Sequence, residues 1–182
     1  MAKILLAHAS FDGCTRAIAA RIATRLITAG HAVTQCRVED VRSGAVEAHD
    51  AVVLGSAVRY GKHKPSMRAF VKAHVAALDS RANAFFSVCL SAGGPNPNPA
   101  LAGGYIEAFC RHTGWTPHQA VSFAGSLPYR SYNPLLRLMM RFIAGRAGGE
   151  TDTSRDHAYT DWAAVDHFAT DFAAGLKVAE AA

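Results

Sequence analysis

The sequence predicts an α/β fold: a doubly wound, five-stranded parallel sheet of order 2-1-3-4-5, with one inserted segment after the fifth strand. Three observations predict it. Short apolar runs of strand length alternate with amphipathic helical stretches, the pattern of a parallel sheet covered on both faces. The first run ends in a glycine-containing turn that opens a helix. The 182 residues are half apolar and 18% charged, a globular composition of single-domain size, so residues 1–182 read as one domain.

Lys3–His8 is a short apolar run, fit for a strand buried on both faces. After the turn Ser10–Thr15, Ile18, Ile22 and Leu26 recur at i+4 while Arg16, Arg21 and Arg25 lie on another face, and Gly30 ends the helix. Ala32–Val38 is the second strand and Asp50–Val58 the third. Glu39–His49, between them, carries little helical signal. Pro65 opens a second helix through Met67, Phe70, Val71, Val75 and Leu78. Ala84–Leu90 is the fourth strand, Ser91–Pro99 a Gly/Pro-rich loop, and Ala100–His112 the third helix. Gln119–Ala124 is the fifth strand. The last helix starts near Thr160, read as its N-cap, and runs to about Gly175.

The formal charge is +5, and the pI near 9.2 favours anionic partners without choosing among them. Cys14, Cys36, Cys89 and Cys110 show no CxxC spacing, so reduced thiols in the cytosol are the simplest reading. No signal peptide, membrane-spanning run or metal-ligand spacing is read, and nucleic acid is not among the expected partners.

Ser10-Phe11-Asp12-Gly13-Cys14-Thr15 lies where a doubly wound sheet binds ligands, outside the carboxyl end of a strand. Such a turn points several backbone N–H groups, and a helix N-terminus, at one anion. Ser10 and Thr15 add hydroxyls, and Gly13 lets the backbone approach closely. There is no GxxxxGK[ST] and no GxGxxG. The absence of a lysine suits a flavin monophosphate, FMN, better than a triphosphate. An ordinary capped βα turn accounts for the same residues. Cys14 reads as a spectator that matters for its N–H.

Ala57, Val58, Arg59, Tyr60 and Gly61 form a second carboxyl-end loop, continued by Lys62, His63 and Lys64. Tyr60 is a candidate to stack on a flavin ring. The loop carries three cations and no acid, and positive charge beside a reduced flavin stabilises its anion. That leans toward a dehydrogenase over a low-potential electron carrier. Cys89, Leu90, Ser91, Ala92 and Gly93 would complete the pocket through backbone groups. Arg59, Tyr60 and His63 are catalytic candidates by position only.

Ser126–Tyr159 is too long to join a strand to its following helix and reads as an insertion with its own structure. Asn133-Pro134 is an N-cap and first-position pair for a short helix, Leu135–Arg146, apolar nearly all round. Four arginines and no acid fall in Ser126–Gly148. The segment suits a membrane surface or an apolar anionic ligand; it equally suits a helix packed on the body with arginines reaching water.

Together these residues resemble the flavodoxin-like, quinone-dependent protoporphyrinogen oxidases (protoporphyrinogen IX dehydrogenases). The marks are Asp12-Gly13-Cys14-Thr15-Arg16, Arg59-Tyr60-Gly61, Ala84-Phe85-Phe86-Ser87-Val88, Gly148-Gly149-Glu150-Thr151-Asp152-Thr153 and Tyr159-Thr160-Asp161-Trp162, spread over nearly the whole chain. Phe11 and Cys14 depart from the family's polar turn, and Ser91–Ala100 lacks its basic residues. The resemblance implies FMN, protoporphyrinogen IX as substrate, a membrane quinone as acceptor and a place in haem biosynthesis. It also implies peripheral attachment to the cytoplasmic face of the inner membrane, with the contact through 127–146. The flavin contacts would fall on the three loops above. A porphyrinogen is an apolar macrocycle with two propionates, which Arg130, Arg137 and Arg141 of the insertion suit as partners. The alternatives are an NAD(P)H-quinone reductase of flavodoxin-like fold and a basic flavodoxin-type electron carrier. A homo-oligomer stays open.

Overall fold

The computed structural model describes residues 1–127, 129–146 and 150–181. Its strands are β1 (Lys3–Ala9), β2 (Ala32–Arg37), β3 (Ala51–Arg59), β4 (Lys62–His63), β5 (Ala82–Cys89), β6 (Gln119–Ala124), β7 (Ser126–Leu127) and β8 (His157–Ala158). Its helices are α1 (Cys14–Thr28), α2 (Pro65–Asp79), α3 (Pro99–Thr113), α4 (Pro134–Arg146) and α5 (Trp162–Ala181). The central sheet runs β2-β1-β3-β5-β6, all parallel. The two-residue β4 pairs antiparallel with the end of β3. With β4 set aside, this is the expected order 2-1-3-4-5.

Strand periodicity sorts the core into two layers. Ile4 and Leu6 of β1, Val53 of β3 and Phe86 of β5 meet Ile18, Ile22 and Leu26 of α1 and Val165, Phe168 and Phe172 of α5. Their sequence neighbours Leu5, Val52 and Phe85 point the other way, onto Met67, Val71 and Leu78 of α2, Phe109 of α3, and Trp115. Both faces of the inner strands are therefore dry, and the polar chemistry available to this fold lies at the strand ends.

No helix joins β2 to β3, in keeping with the weak periodicity of Glu39–His49. A 3-10 turn, Val38–Asp40, leads into a loop plugged by the buried Val46. The Arg81 guanidinium braces it by donating to the carbonyls of Glu47 and His49. The start of α5 corrects the sequence reading. Asp161, not Thr160, caps the helix: its Oδ1 accepts from the N–H groups of Ala163 and Ala164 at 2.9 and 3.1 Å. The Thr160 hydroxyl is diverted to the carbonyl of Ala124, at the end of β6. The helix also continues past Gly175 to Ala181.

The insertion has its own structure. β7 and β8 pair antiparallel at its base. Asn133 caps α4, its Oδ1 accepting from Leu136 N–H at 2.8 Å, with Pro134 at the first helical position. Leu127, Tyr129, Tyr132 and Ala144 form a small core of its own.

Gly55 sits opposite Phe86 in the β3–β5 ladder, and a β-carbon there would stand 1.9 Å from Phe86 Cζ. The ring occupies the room a side chain would need. Gly55→Ala is expected to destabilise the fold by about 1–3 kcal/mol, seen as a lower urea midpoint. Pairing it with Phe86→Leu should restore part of the loss. An unchanged midpoint for the single variant contradicts this packing.

Candidate functional site

α1 leaves β1 onto one face of the sheet and α2 leaves β3 onto the other. A crevice opens between the strand ends, as it must where winding reverses. It holds a cavity of about 740 Å³, the size of a site for a nucleotide-sized ligand.

The first wall is the turn between β1 and α1. Gly13 takes φ +88°, a left-handed conformation, and stands at the N-cap position of α1. Ser10 Oγ accepts from Gly13 N–H at 3.0 Å, which fixes the turn. The first N–H groups of the helix, at Cys14, Thr15 and Arg16, have no carbonyl partner within it. Ser10, Cys14 and Thr15 line the cavity. Backbone N–H groups, two hydroxyls and a helix N-terminus make a donor set that suits a phosphate group.

The second wall is the β3–β4 turn. Arg59 pairs with Lys62, and the two residues between them both have positive φ, 53° at Tyr60 and 73° at Gly61. Gly61 adopts this freely; Tyr60 does so at a cost of about 1–2 kcal/mol. The strained Tyr60 lines the cavity and is 70% exposed, an arrangement typical of ligand clamps.

Charge at this wall differs from the sequence expectation. The loop itself has no acid, but Arg59 Nη2 lies 2.6 Å from Asp12 Oδ2 and its guanidinium stacks 4.1 Å over the Phe11 ring. Lys64 Nζ donates to the Ser10 carbonyl at 3.1 Å and lies 3.6 Å from Glu39 Oε1. Acids distant in sequence thus partly neutralise the loop, and its effect on a reduced flavin is weaker than three free cations would give.

The third loop, Cys89–Gly93, reaches the cavity through Cys89, Leu90, Ser91 and Gly93. Of the residues expected to bind the cofactor, Gly13 and Ala92 do not line it; Gly13 acts through the turn it permits. Cys14 Sγ lies 3.7 Å from Thr160 Oγ1.

The far wall comes from the insertion and α3. Leu136, Met140 and Ala144 recur at i+4 along α4 and face the cavity, joined by Leu127, Tyr132, Leu101 and Tyr105. The sequence reading singled out the arginines of this segment and missed this stripe, although its spacing is visible in the sequence. The arginines do not line the cavity. Arg137 donates from Nε to the Tyr129 carbonyl at 2.9 Å and from Nη2 to that of Tyr132 at 3.2 Å. Arg130 donates from Nε to the Ser154 carbonyl at 3.1 Å. Arg141 is exposed.

His63 also lies away from the cavity. It is 3% exposed, its Nε2 is 2.9 Å from Ser87 Oγ, and its ring meets Phe85 and Phe109 edge-on. It is a core residue. Among the described residues no cluster of His, Cys, Asp and Glu could hold a metal ion.

A family model of the flavodoxin domain matches residues 5–154. Two relatives share the name protoporphyrinogen IX dehydrogenase (quinone). That of Leishmania major is 37% identical over 94% of this chain and 75% of its own length. That of Escherichia coli strain K12 is 34% identical over 94% of both. The chain belongs to the flavodoxin-like protoporphyrinogen IX dehydrogenase family. A flavodoxin from the domain Archaea, 19% identical, covers 96% of the chain and 99% of its own with a TM-score of 0.54, which shows the common fold. The matched residues 5–154 include the turn after β1 and both strand-end loops.

Burial, and then the Arg68 charge, push His63 down to about 4 from its ordinary 6.5. Between those values the unfolded chain takes up a proton that the folded one refuses. Stability is therefore full above pH about 6.5 and falls as pH drops toward about 4, by about 3 kcal/mol in all. His63→Gln removes the titration. The stability difference between wild type and variant should change across this window in urea unfolding; a difference independent of pH contradicts the buried neutral imidazole.

Proposed function

We propose that this protein binds FMN in the crevice and oxidises protoporphyrinogen IX to protoporphyrin IX in successive two-electron steps, passing the electrons to a membrane quinone in haem biosynthesis. The observation that carries this reading is the continuity of the cavity. One wall is a phosphate-type turn with two strand-end loops, and the opposite wall is an apolar stripe of the insertion. The names of the two relatives supply the reaction class.

A bound flavin supplies the two-electron acceptor chemistry that side chains lack. The chain's own residues do the rest. The N–H groups at Cys14 and Thr15, with the hydroxyls of Ser10 and Thr15, hold the phosphate. Tyr60 and Gly61 bring an aromatic face and an open backbone to the ring. Leu136, Met140, Leu101 and Tyr105 receive an apolar macrocycle and exclude water from the reacting face.

The outer face of α4 supports a membrane setting. Leu135, Leu138, Met139 and Phe142 are exposed, next to the exposed Arg141. No helix of the described residues is long and apolar enough to cross a membrane. An apolar helix face beside an exposed arginine suits the interface of an anionic bilayer, which would place the cavity's far wall against the lipid that carries the quinone.

Protein loaded with FMN, given protoporphyrinogen and menadione under anaerobic conditions, should produce quinone-dependent porphyrin fluorescence above a no-enzyme control. Quinone reduction fed by NADH, with no porphyrin formed, would replace this reading with a general quinone reductase. A stable semiquinone and a very low hydroquinone potential would point to an electron carrier. Wild type should sediment with anionic phospholipid vesicles, and Leu138→Glu with Phe142→Glu should abolish this while FMN is still bound. Equal sedimentation of both would remove α4 as the contact.

A further inference from the structure

We propose that Tyr132 is a cofactor-binding residue, its hydroxyl donating a hydrogen bond to the phosphate end of the flavin, so that the insertion and the phosphate turn close on one ligand. The inference rests on the FMN reading above.

Tyr132 is 7% exposed, yet it lines the cavity. Its ring packs edge-on against Tyr129 within the insertion's core, with ring centroids 6.1 Å apart. Its hydroxyl makes no hydrogen bond among the described residues, and Asp12 and Arg59, which line the same cavity, are near enough for their charges to act on it. A buried phenol that lines a polar crevice without a partner is a donor in want of an acceptor. Burial, and then the nearby Asp12 carboxylate, push its pKa up to about 12, so it stays protonated and able to donate at neutral pH.

The phosphate turn needs such a donor. Its cationic neighbours are already engaged: Arg59 holds Asp12, and Lys64 holds the Ser10 carbonyl and Glu39. The third cation of the loop, Lys62, does not line the cavity, so a phosphate arriving beside Asp12 meets backbone N–H groups and hydroxyls first. A neutral donor adds affinity there without drawing charge from the existing pairs.

The insertion is built to hold the phenol in place. Arg137 donates to the carbonyls of Tyr129 and Tyr132, fixing the backbone that carries the ring. Just past the insertion the chain returns to the same turn, with Thr160 Oγ1 3.7 Å from Cys14 Sγ. Arg137, absent from the cavity lining, is therefore a positioning residue for Tyr132.

The test compares FMN and riboflavin binding to apoprotein by quenching of flavin fluorescence, in wild type and Tyr132→Phe. The variant keeps the ring, and circular dichroism checks that it is folded. A lost hydrogen bond to a charged group weakens binding by about tenfold or more, so FMN affinity should fall by that factor while riboflavin affinity stays unchanged. Equal FMN affinity in both proteins overturns the proposal, as does an equal loss for FMN and riboflavin. Unchanged FMN affinity with a raised KM for protoporphyrinogen also overturns it, moving the hydroxyl to the substrate. Wild type that binds neither flavin is a separate result, and it sinks the flavin reading itself.

Discussion

Winding reverses between β1 and β3, and the site follows from that reversal. Helix α1 leaves its strand onto the face shared with α5, and α2 leaves onto the face shared with α3. Chains that diverge from adjacent strand ends cannot cover those ends. The inner strands are sealed by apolar side chains on both faces, so a polar ligand has no other place in the sheet to bind. The left-handed Gly13 and the strained Tyr60 then sit at the edges of one crevice, the first permitting a ring of N–H donors and the second presenting an aromatic face.

What the reversal does not supply is a lid of hydrophobic surface, and the insertion adds it. A segment folded outside the sheet has carbonyl groups without ladder partners, and guanidinium groups with several donors are suited to satisfy them. Arg130 and Arg137 are used in this way. With those charges engaged on its backbone, the insertion can turn Leu136, Met140 and Ala144 inward while Leu135, Leu138 and Phe142 stay outward on α4. One helix thereby has two apolar faces, one bounding the cavity and one exposed.

Much of this was legible in the sequence. Strand-length apolar runs alternating with helical stretches point to the doubly wound parallel sheet, and Gln119–Ala124 is the fifth strand as expected. Asn133-Pro134 gave the start of α4. The three loops that the sequence puts at the strand ends supply most of their residues to the cavity lining. The misreadings concern partners distant in sequence. The loop Arg59–Lys64 looked uncompensated because Asp12 and Glu39 lie on other elements. His63 looked like a site residue because its neighbours are; only the antiparallel turn of β4 sends it into the core between Phe85 and Phe109. Thr160 looked like a cap because local sequence does not show that the Ala124 carbonyl takes its hydroxyl. Charge drew attention to the arginines of the insertion, whereas its cavity-facing side is apolar.

Under the proposed function, the strand-end loops and the insertion enclose one space in which a flavin and a macrocycle lie against each other. The most direct measurement is a difference absorption titration of FMN-loaded protein with protoporphyrin IX, the oxidised macrocycle, which does not turn over. A saturable perturbation of the flavin band, lost when Met140 is replaced by a bulky tryptophan on the inner face of α4, is the predicted result. Porphyrin that binds while leaving the flavin band unchanged would contradict it and separate the two sites.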